Sequence, residues 1–381
     1  MKALTLLSLL SLSLSFSATA ADGGEIVASR KFTGNQSCGT TGCHGGGTLH
    51  NESIIYARKD PHAIAHGILG KGTSLRIAEA LGIKGDPIKD VQCNVCHSPM
   101  QGVSADLFVK DLKPDLGVGC ESCHGAAENW LRFHTRSDVV FSQIIAAGMR
   151  DLNDIYGRAN SCVGCHLNLD DSLRKAGHPE LFFELDSQCM AQPPHYKDAR
   201  PSLGPRSWLT GQATALREMS WKLSQKNDEH FLPRWKALVW LLQKTELGKT
   251  ELPATEAFPA MQKAADEMAR KASQKLWTTA AVQAQLRELS ALHGDFEGAQ
   301  SDKTLLQRKA EVLVPALDRL WRDLRKGGAP NQSECESAIQ TLHLLAMDHE
   351  DFDPAKFANT LGQLKVALSA TAQSTPAPKL K

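Results

Sequence analysis

Three times in this chain two cysteines stand with two residues between them and a histidine directly after the second: Cys93-Asn94-Val95-Cys96-His97, Cys120-Glu121-Ser122-Cys123-His124 and Cys162-Val163-Gly164-Cys165-His166. A fourth unit, Cys38 to Cys43-His44, keeps the terminal Cys-His but places four residues between the thiols. With 14 histidines in 381 residues, a histidine follows a given cysteine about 4 % of the time, so four in four is on the order of 10⁻⁶ by composition alone. Zinc ribbons use cysteine pairs without a histidine after each, and disulfides leave the histidines unexplained. The pattern fits covalent haem c attachment, in which both thiols add across the haem vinyl groups and the adjacent histidine becomes the proximal iron ligand.

Four covalently bound haem c groups are therefore expected, on Cys38/Cys43, Cys93/Cys96, Cys120/Cys123 and Cys162/Cys165, with His44, His97, His124 and His166 on the irons. A disulfide is the competing reading at Cys38/Cys43, where the spacing is wider. Gly117, Gly119 and Gly125 around the third unit are expected to leave room for a porphyrin.

Residues 1–20 read as a cleaved signal peptide: Lys2, an apolar and serine-rich run from Leu4 to Phe16, and Ala18-Thr19-Ala20 as the cleavage site. No later apolar run reaches the 18 or more residues needed to cross a bilayer, so a periplasmic or otherwise exported protein without a membrane span is expected. Lys plus Arg number 43 and Asp plus Glu 42, which offers no basic surface to a nucleic acid. The expected partners are redox proteins, one donor and one acceptor.

The fold class expected is mainly α. Residues 21–200, glycine-rich and holding nine of the ten cysteines, read as an irregular tetrahaem domain with short helices, whose buried apolar surface comes largely from the macrocycles. Residues 201–370 read as an α-helical bundle. Apolar residues recur at helical spacing from Trp208 to Leu223 and Phe231 to Leu242, then in Phe258–Leu276, Leu305–Leu324, Ala338–Met347 and Phe357–Leu368. Asp353-Pro354 reads as an N-cap with proline at the first helical position, and six of the seven tryptophans, all in this half, read as core. Residues 371–381 read as a disordered tail. Cys189 and Cys335 remain after haem attachment, as a disulfide between the halves or as two separate thiols.

Second axial ligands decide between an electron carrier and an open, reactive iron. Of the histidines outside the motifs, His62, His134 and His178 are the leading candidates, ahead of His50, His66 and His195. Gly117 to Gly125 followed by His134, together with Asp60-Pro61-His62-Ala63-Ile64-Ala65 and the order of the four motifs, resembles the tetrahaem cytochrome c-554 family, which relays electrons in ammonia oxidation. Ala176-Gly177-His178-Pro179 is similar to the wider class of cytochrome c-552/4-type multihaem proteins. The family resemblance implies crossed capping: His134 over the Cys38/Cys43/His44 haem and His62 over the Cys120/Cys123/His124 haem. In that family the second haem is the five-coordinate one, so the resemblance also implies an open iron at His97; separately, no histidine lies between His97 and Cys120. A periplasmic tetrahaem electron-transfer protein is the leading expectation. The alternative is a multihaem enzyme or gas-binding protein acting on a small nitrogen or sulfur compound at that open haem. Such an enzyme has only Tyr56, Tyr156 and Tyr196 for a tyrosine cross-link, and the chain has no C-x-x-C-K motif.

Overall fold

The computed structural model describes residues 30–47, 50–167, 169–191, 203–226, 228–254, 257–297, 302–327, 329 and 331–370. The expected signal peptide, His195, Tyr196 and the C-terminal tail lie outside the described residues. The chain is mainly α: 68 % of the described residues are helical and none lies in a strand, while a single parallel bridge joins Phe32 to Phe108.

Up to His166 the helices are short, and three of them end at the regular motifs. Val91–His97, Cys120–His124 and Ile155–His166 each stop at the motif histidine. A helix places residues i and i+3 on one face, so each regular motif offers its two thiols side by side with the histidine one position further on. The wider unit reaches the same end differently. Cys38 closes the short helix Asn35–Cys38, and a turn follows in which Cys43 N donates to Thr40 O (2.9 Å) and His44 N to Cys38 O (3.1 Å).

Beyond residue 203 the helices lengthen: Leu203–Gln225, Phe231–Leu242, Phe258–Gln274, Thr279–Ser290, Lys303–Arg325, Gln332–Met347 and Pro354–Ala370. Leu203–Gln225 packs along Phe258–Gln274, and Lys303–Arg325 lies between Phe231–Leu242 and Gln332–Met347. The Asp353 cap forms as its sequence suggests, its carboxylate accepting from Ala355 N (3.0 Å) and Lys356 N (3.1 Å). Trp208, Trp235, Trp277 and Trp321 are buried, whereas Trp221 is 45 % exposed. Trp240 is half-buried, its Nε1 donating to Asp295 Oδ2.

The apolar core does not begin at residue 201. It runs continuously from Ile155 to Leu368, because Ile155, Ala159 and Val163 on the helix of the fourth motif pack against Leu203–Gln225. Asp154 caps that helix through Tyr156 N and Gly157 N, while Tyr156 Oη donates to Asp266 Oδ1 (2.6 Å) and Arg217 Nη1 to the same oxygen (2.8 Å). The helix of the fourth motif is thus part of the bundle. Leu216 is fully buried in this shared core, and Leu216→Ala is expected to cost roughly 2–5 kcal/mol, read as a shifted midpoint in urea unfolding.

Cys189 and Cys335 are not joined. Cys335 is buried on Gln332–Met347, and Cys189 lies 4.0 Å from Arg158 Nη1.

Candidate haem sites

Three pairs of histidine rings, each from distant parts of the sequence, face one another at nearly one distance. Ring centroids are 6.1 Å apart for His44 and His134, 6.1 Å for His62 and His166, and 6.3 Å for His97 and His178. These separations are compatible with one metal held between two rings. A metal about 2 Å from a nitrogen of each ring sets the centroids roughly 6 Å apart.

Each ring is held by its other nitrogen. His44 Nδ1 donates to Glu52 Oε2 (3.0 Å), His62 Nδ1 to Asp60 Oδ1 (2.8 Å), His97 Nδ1 to Ala65 O (2.8 Å), His134 Nδ1 to Trp130 O (3.0 Å) and His178 Nδ1 to Pro179 O (2.8 Å). Every one of these partners only accepts, which fixes the proton on Nδ1 and leaves Nε2 with a free lone pair. This is the arrangement that orients imidazoles as metal ligands. His166 Nδ1 lies 2.9 Å from the Gln188 side-chain amide. Five of the six paired rings therefore fit iron through Nε2, whereas at His166 it is the Gln188 amide nitrogen, also donating to Phe182 O (3.1 Å), that faces Nδ1.

Local sequence explains the positions. Asp60 caps the short helix Pro61–Ile64 by accepting from His62 N (3.0 Å), with Pro61 at the first helical position. The same carboxylate holds the His62 ring, and this bond, opposed by burial, raises the His62 pKa. Trp130 is buried, and its indole stands edge-on to His134 at 5.5 Å. Gly177 takes φ +97°, a left-handed turn that swings the chain from helix Asp171–Lys175 into His178.

The four attachment segments touch in the order first, third, fourth, second. The thiols of Cys38 and Cys120 are within hydrogen-bonding reach, as are those of Cys96 and Cys165. Arg150 joins the middle pair, its Nη1 donating to Ser122 O and Cys123 O (both 2.9 Å) and to Ser161 Oγ (3.4 Å).

Several expectations change. His62 faces His166 of the fourth motif, where the resemblance had implied His124 of the third. His178 faces His97, the iron expected to be open. Capping follows segment contacts, not the nearest histidine in sequence: residues 62–65 meet Val118 N through His62 O (3.2 Å) and His97 Nδ1 through Ala65 O. The glycines also serve otherwise. A Cβ on Gly117 would meet His62 O at 3.0 Å, and one on Gly119 would meet Asn35 Oδ1 at 2.4 Å, so their space is filled by the chain's own segments. Gly125 sits at φ +84°. Among the weaker candidates, His50 stands edge-on to His44 at 6.4 Å, and His66 Nε2 lies 3.5 Å from Gln101. Tyr56, noted as a cross-link candidate, is half-buried, which pushes its pKa up to about 12.

One residue essential to the site is invisible in the motif. Glu121, between Cys120 and Cys123, is 3 % exposed and accepts from Thr33 N (3.0 Å), Gly34 N (2.7 Å) and Ala127 N (2.7 Å). Burial pushes its carboxyl up against the pull of these donors. It fastens the strip leading to Cys38 onto the third motif, with Asn35 Oδ1 accepting from Cys120 N (2.8 Å).

Residues 38–125 match the family model described as Cytochrome c554 and c-prime. Cytochrome c-554 of Nitrosomonas europaea is 27 % identical over 205 residues, which is 47 % of this chain and 82 % of that protein. No solved structure matches the chain. No helix among the described residues is long and apolar enough to cross a membrane. The motifs, the histidine pairs and the two sequence matches point one way: residues 38–125 are similar to the cytochrome c-554 family, which supports a c-type cytochrome of electron transfer with covalently bound haem c.

Proposed function

We propose that this protein is an exported, periplasmic tetrahaem electron carrier that takes single electrons from one redox protein and passes them to another. The observation that supports it best is the three histidine pairs at 6.1, 6.1 and 6.3 Å. Haem iron, when bound, supplies the one-electron couple. The chain's own contribution is to hold that couple without rearrangement. Cys38/Cys43, Cys93/Cys96, Cys120/Cys123 and Cys162/Cys165 attach the groups, and His44, His97, His124 and His166 are their proximal ligands. In this reading His134, His178 and His62 close the distal faces at His44, His97 and His166, so these three sites admit no substrate. Two protein ligands fixed through Nδ1 keep the geometry the same in both oxidation states, which suits electron transfer over catalysis at these three sites.

Electron paramagnetic resonance of the oxidised protein tests the ligation. The His44 and His134 planes lie 11° apart, whereas His62/His166 and His97/His178 cross at 79° and 68°. Near-parallel axial imidazoles give a rhombic low-spin signal and near-perpendicular ones a signal with a large maximal g value. From these three pairs one rhombic and two large-g signals are expected, with the His124 site contributing a fourth of its own, and a high-spin majority overturns the proposal. Intact mass tests the count. A gain of four haems is expected, while a gain of three leaves Cys38 and Cys43 with another role.

A further inference from the structure

The segment that follows His178 is bound to the helical bundle at nearly every residue. Glu180 accepts from Arg234 Nη1 (2.9 Å) and His230 Nε2 (3.0 Å), with Arg308 3.9 Å away. Burial opposes its ionisation, but Arg234, Arg308 and His230 outweigh it and hold the carboxyl below its usual range. Arg234 also donates to Leu181 O (3.3 Å) and lies 4.8 Å over the ring of Phe182. Gln212 donates to Phe183 O (3.3 Å), and Arg319 pairs with Glu184 (3.2 Å) and Asp186 (2.9 Å). Leu185 is fully buried against Gly211, where an added Cβ would come within 2.6 Å of Leu185 Cβ. These anchors come from Leu203–Gln225, Phe231–Leu242 and Lys303–Arg325, none of which carries an attachment motif.

The same segment reaches two haem sites. His178 at its start faces His97, and Gln188 near its end lies against His166. Within the motif-bearing half, by contrast, the hydrogen bonds that hold His178 among the described residues are local, His178 N donating to Leu173 O (3.0 Å) and Nδ1 to Pro179 O.

We propose that the helical bundle is a positioning clamp for the second haem site: by gripping residues 180–186 it keeps His178 against His97, and loosening that grip opens the site to a small diatomic ligand. This rests on the reading that His178 closes the His97 site. The bundle thereby acquires a role that the attachment motifs do not require. The segment is short, and Gly211 permits the closest approach of Leu185 that a helix allows. A shift there carries directly to His178, seven residues earlier.

The test is titration of the reduced full-length haem protein with carbon monoxide, counting equivalents bound per chain against the unaltered protein. His178→Ala is expected to add one equivalent, and if it adds none the ligation reading itself is overturned. Gly211→Ala, which drives Leu185 off the bundle without touching any ligand, is expected to add close to one equivalent. It should also convert one low-spin signal to high-spin. Glu180→Ala is expected to do the same and decides the matter if Gly211→Ala does not accumulate. Leu342→Ala, in the core of the bundle but on Gln332–Met347, loosens the bundle without touching the segment and is expected to add none. The clamp is overturned, with the ligation intact, if His178→Ala adds an equivalent and neither Gly211→Ala nor Glu180→Ala does. It is equally overturned if Leu342→Ala adds as much as they do.

Discussion

Replacing Glu121 by leucine is expected to destabilise the motif-bearing half by on the order of 5 kcal/mol, since three buried backbone N–H groups lose their acceptor at once and each orphaned donor costs about 1–3 kcal/mol. The donors are Thr33, Gly34 and Ala127, and the only oxygens within their reach among the described contacts are those of Glu121. Glu121→Gln keeps one oxygen and is expected to lose about half as much. Denaturant unfolding followed by helical circular dichroism measures both. A loss under about 1 kcal/mol for the leucine variant means that water replaces the carboxylate and that the strip from Thr33 to Cys38 is not held this way.

Raising the pH from about 4 to about 6 is expected to weaken the protein by on the order of 3 kcal/mol through Asp186 alone. Burial pushes its carboxyl up to about 6 from the usual 3.8, Glu184 beside it adds to the push, and Arg319 and Arg322 pull back without prevailing. Arg319, itself 7 % exposed, is shared among Glu184, Asp186 and Asp318, so negative charge is in excess around one guanidinium. Because folding raises this pKa, the folded chain keeps a proton that the unfolded chain has already released in this window. Stability therefore falls as pH rises through it. Two pKa units correspond to about 3 kcal/mol. Asp186→Asn is expected to remove that slope and leave the protein more stable at pH 7 by a similar amount, with Arg319 still paired to Glu184 and Asp318. An unchanged slope between pH 4 and pH 6 in the asparagine variant rules Asp186 out as its source.

Much of this molecule is legible in its sequence, for reasons that lie in the chemistry of each feature. Haem attachment needs two thiols and an imidazole at fixed spacing, so the motifs are local and readable. His62, His134 and His178 stand out for a similar reason: Asp60-Pro61 and Ala176-Gly177 around two of them are caps and turns that the backbone follows. Which histidine meets which is a property of segment packing. The pairing of His62 with His166 depends on contacts across more than a hundred residues, and no periodicity encodes them. Glu121 was hidden because the positions between the cysteines carry no attachment chemistry, and its value lies in donors 87 and 88 residues away. Helix Thr279–Ser290 did have a signal. Val282, Leu286 and Leu289 are spaced for one helical face after the Thr278 cap, but three residues make a faint stripe beside those of the longer helices. The extension of the core back to Ile155 escaped notice because Ile155, Ala159 and Val163 sit inside a helix whose other duty, ending in Cys162 to His166, dominates its reading.

The partners of Nδ1 divide the histidines into two kinds. Glu52 and Asp60 offer carboxylates to His44 and His62, while His97, His134 and His178 have only carbonyl oxygens. A carboxylate draws the ring proton towards itself and leaves the imidazole the stronger electron donor, which favours the ferric over the ferrous state of whatever iron it binds. Iron held at the His44 and His62 sites would therefore have a lower reduction potential than iron at the His97 site, whose two rings both rest on neutral carbonyls. The attachment segments touch in an order that ends at the His97 unit, so the electron path proposed above would have unequal ends.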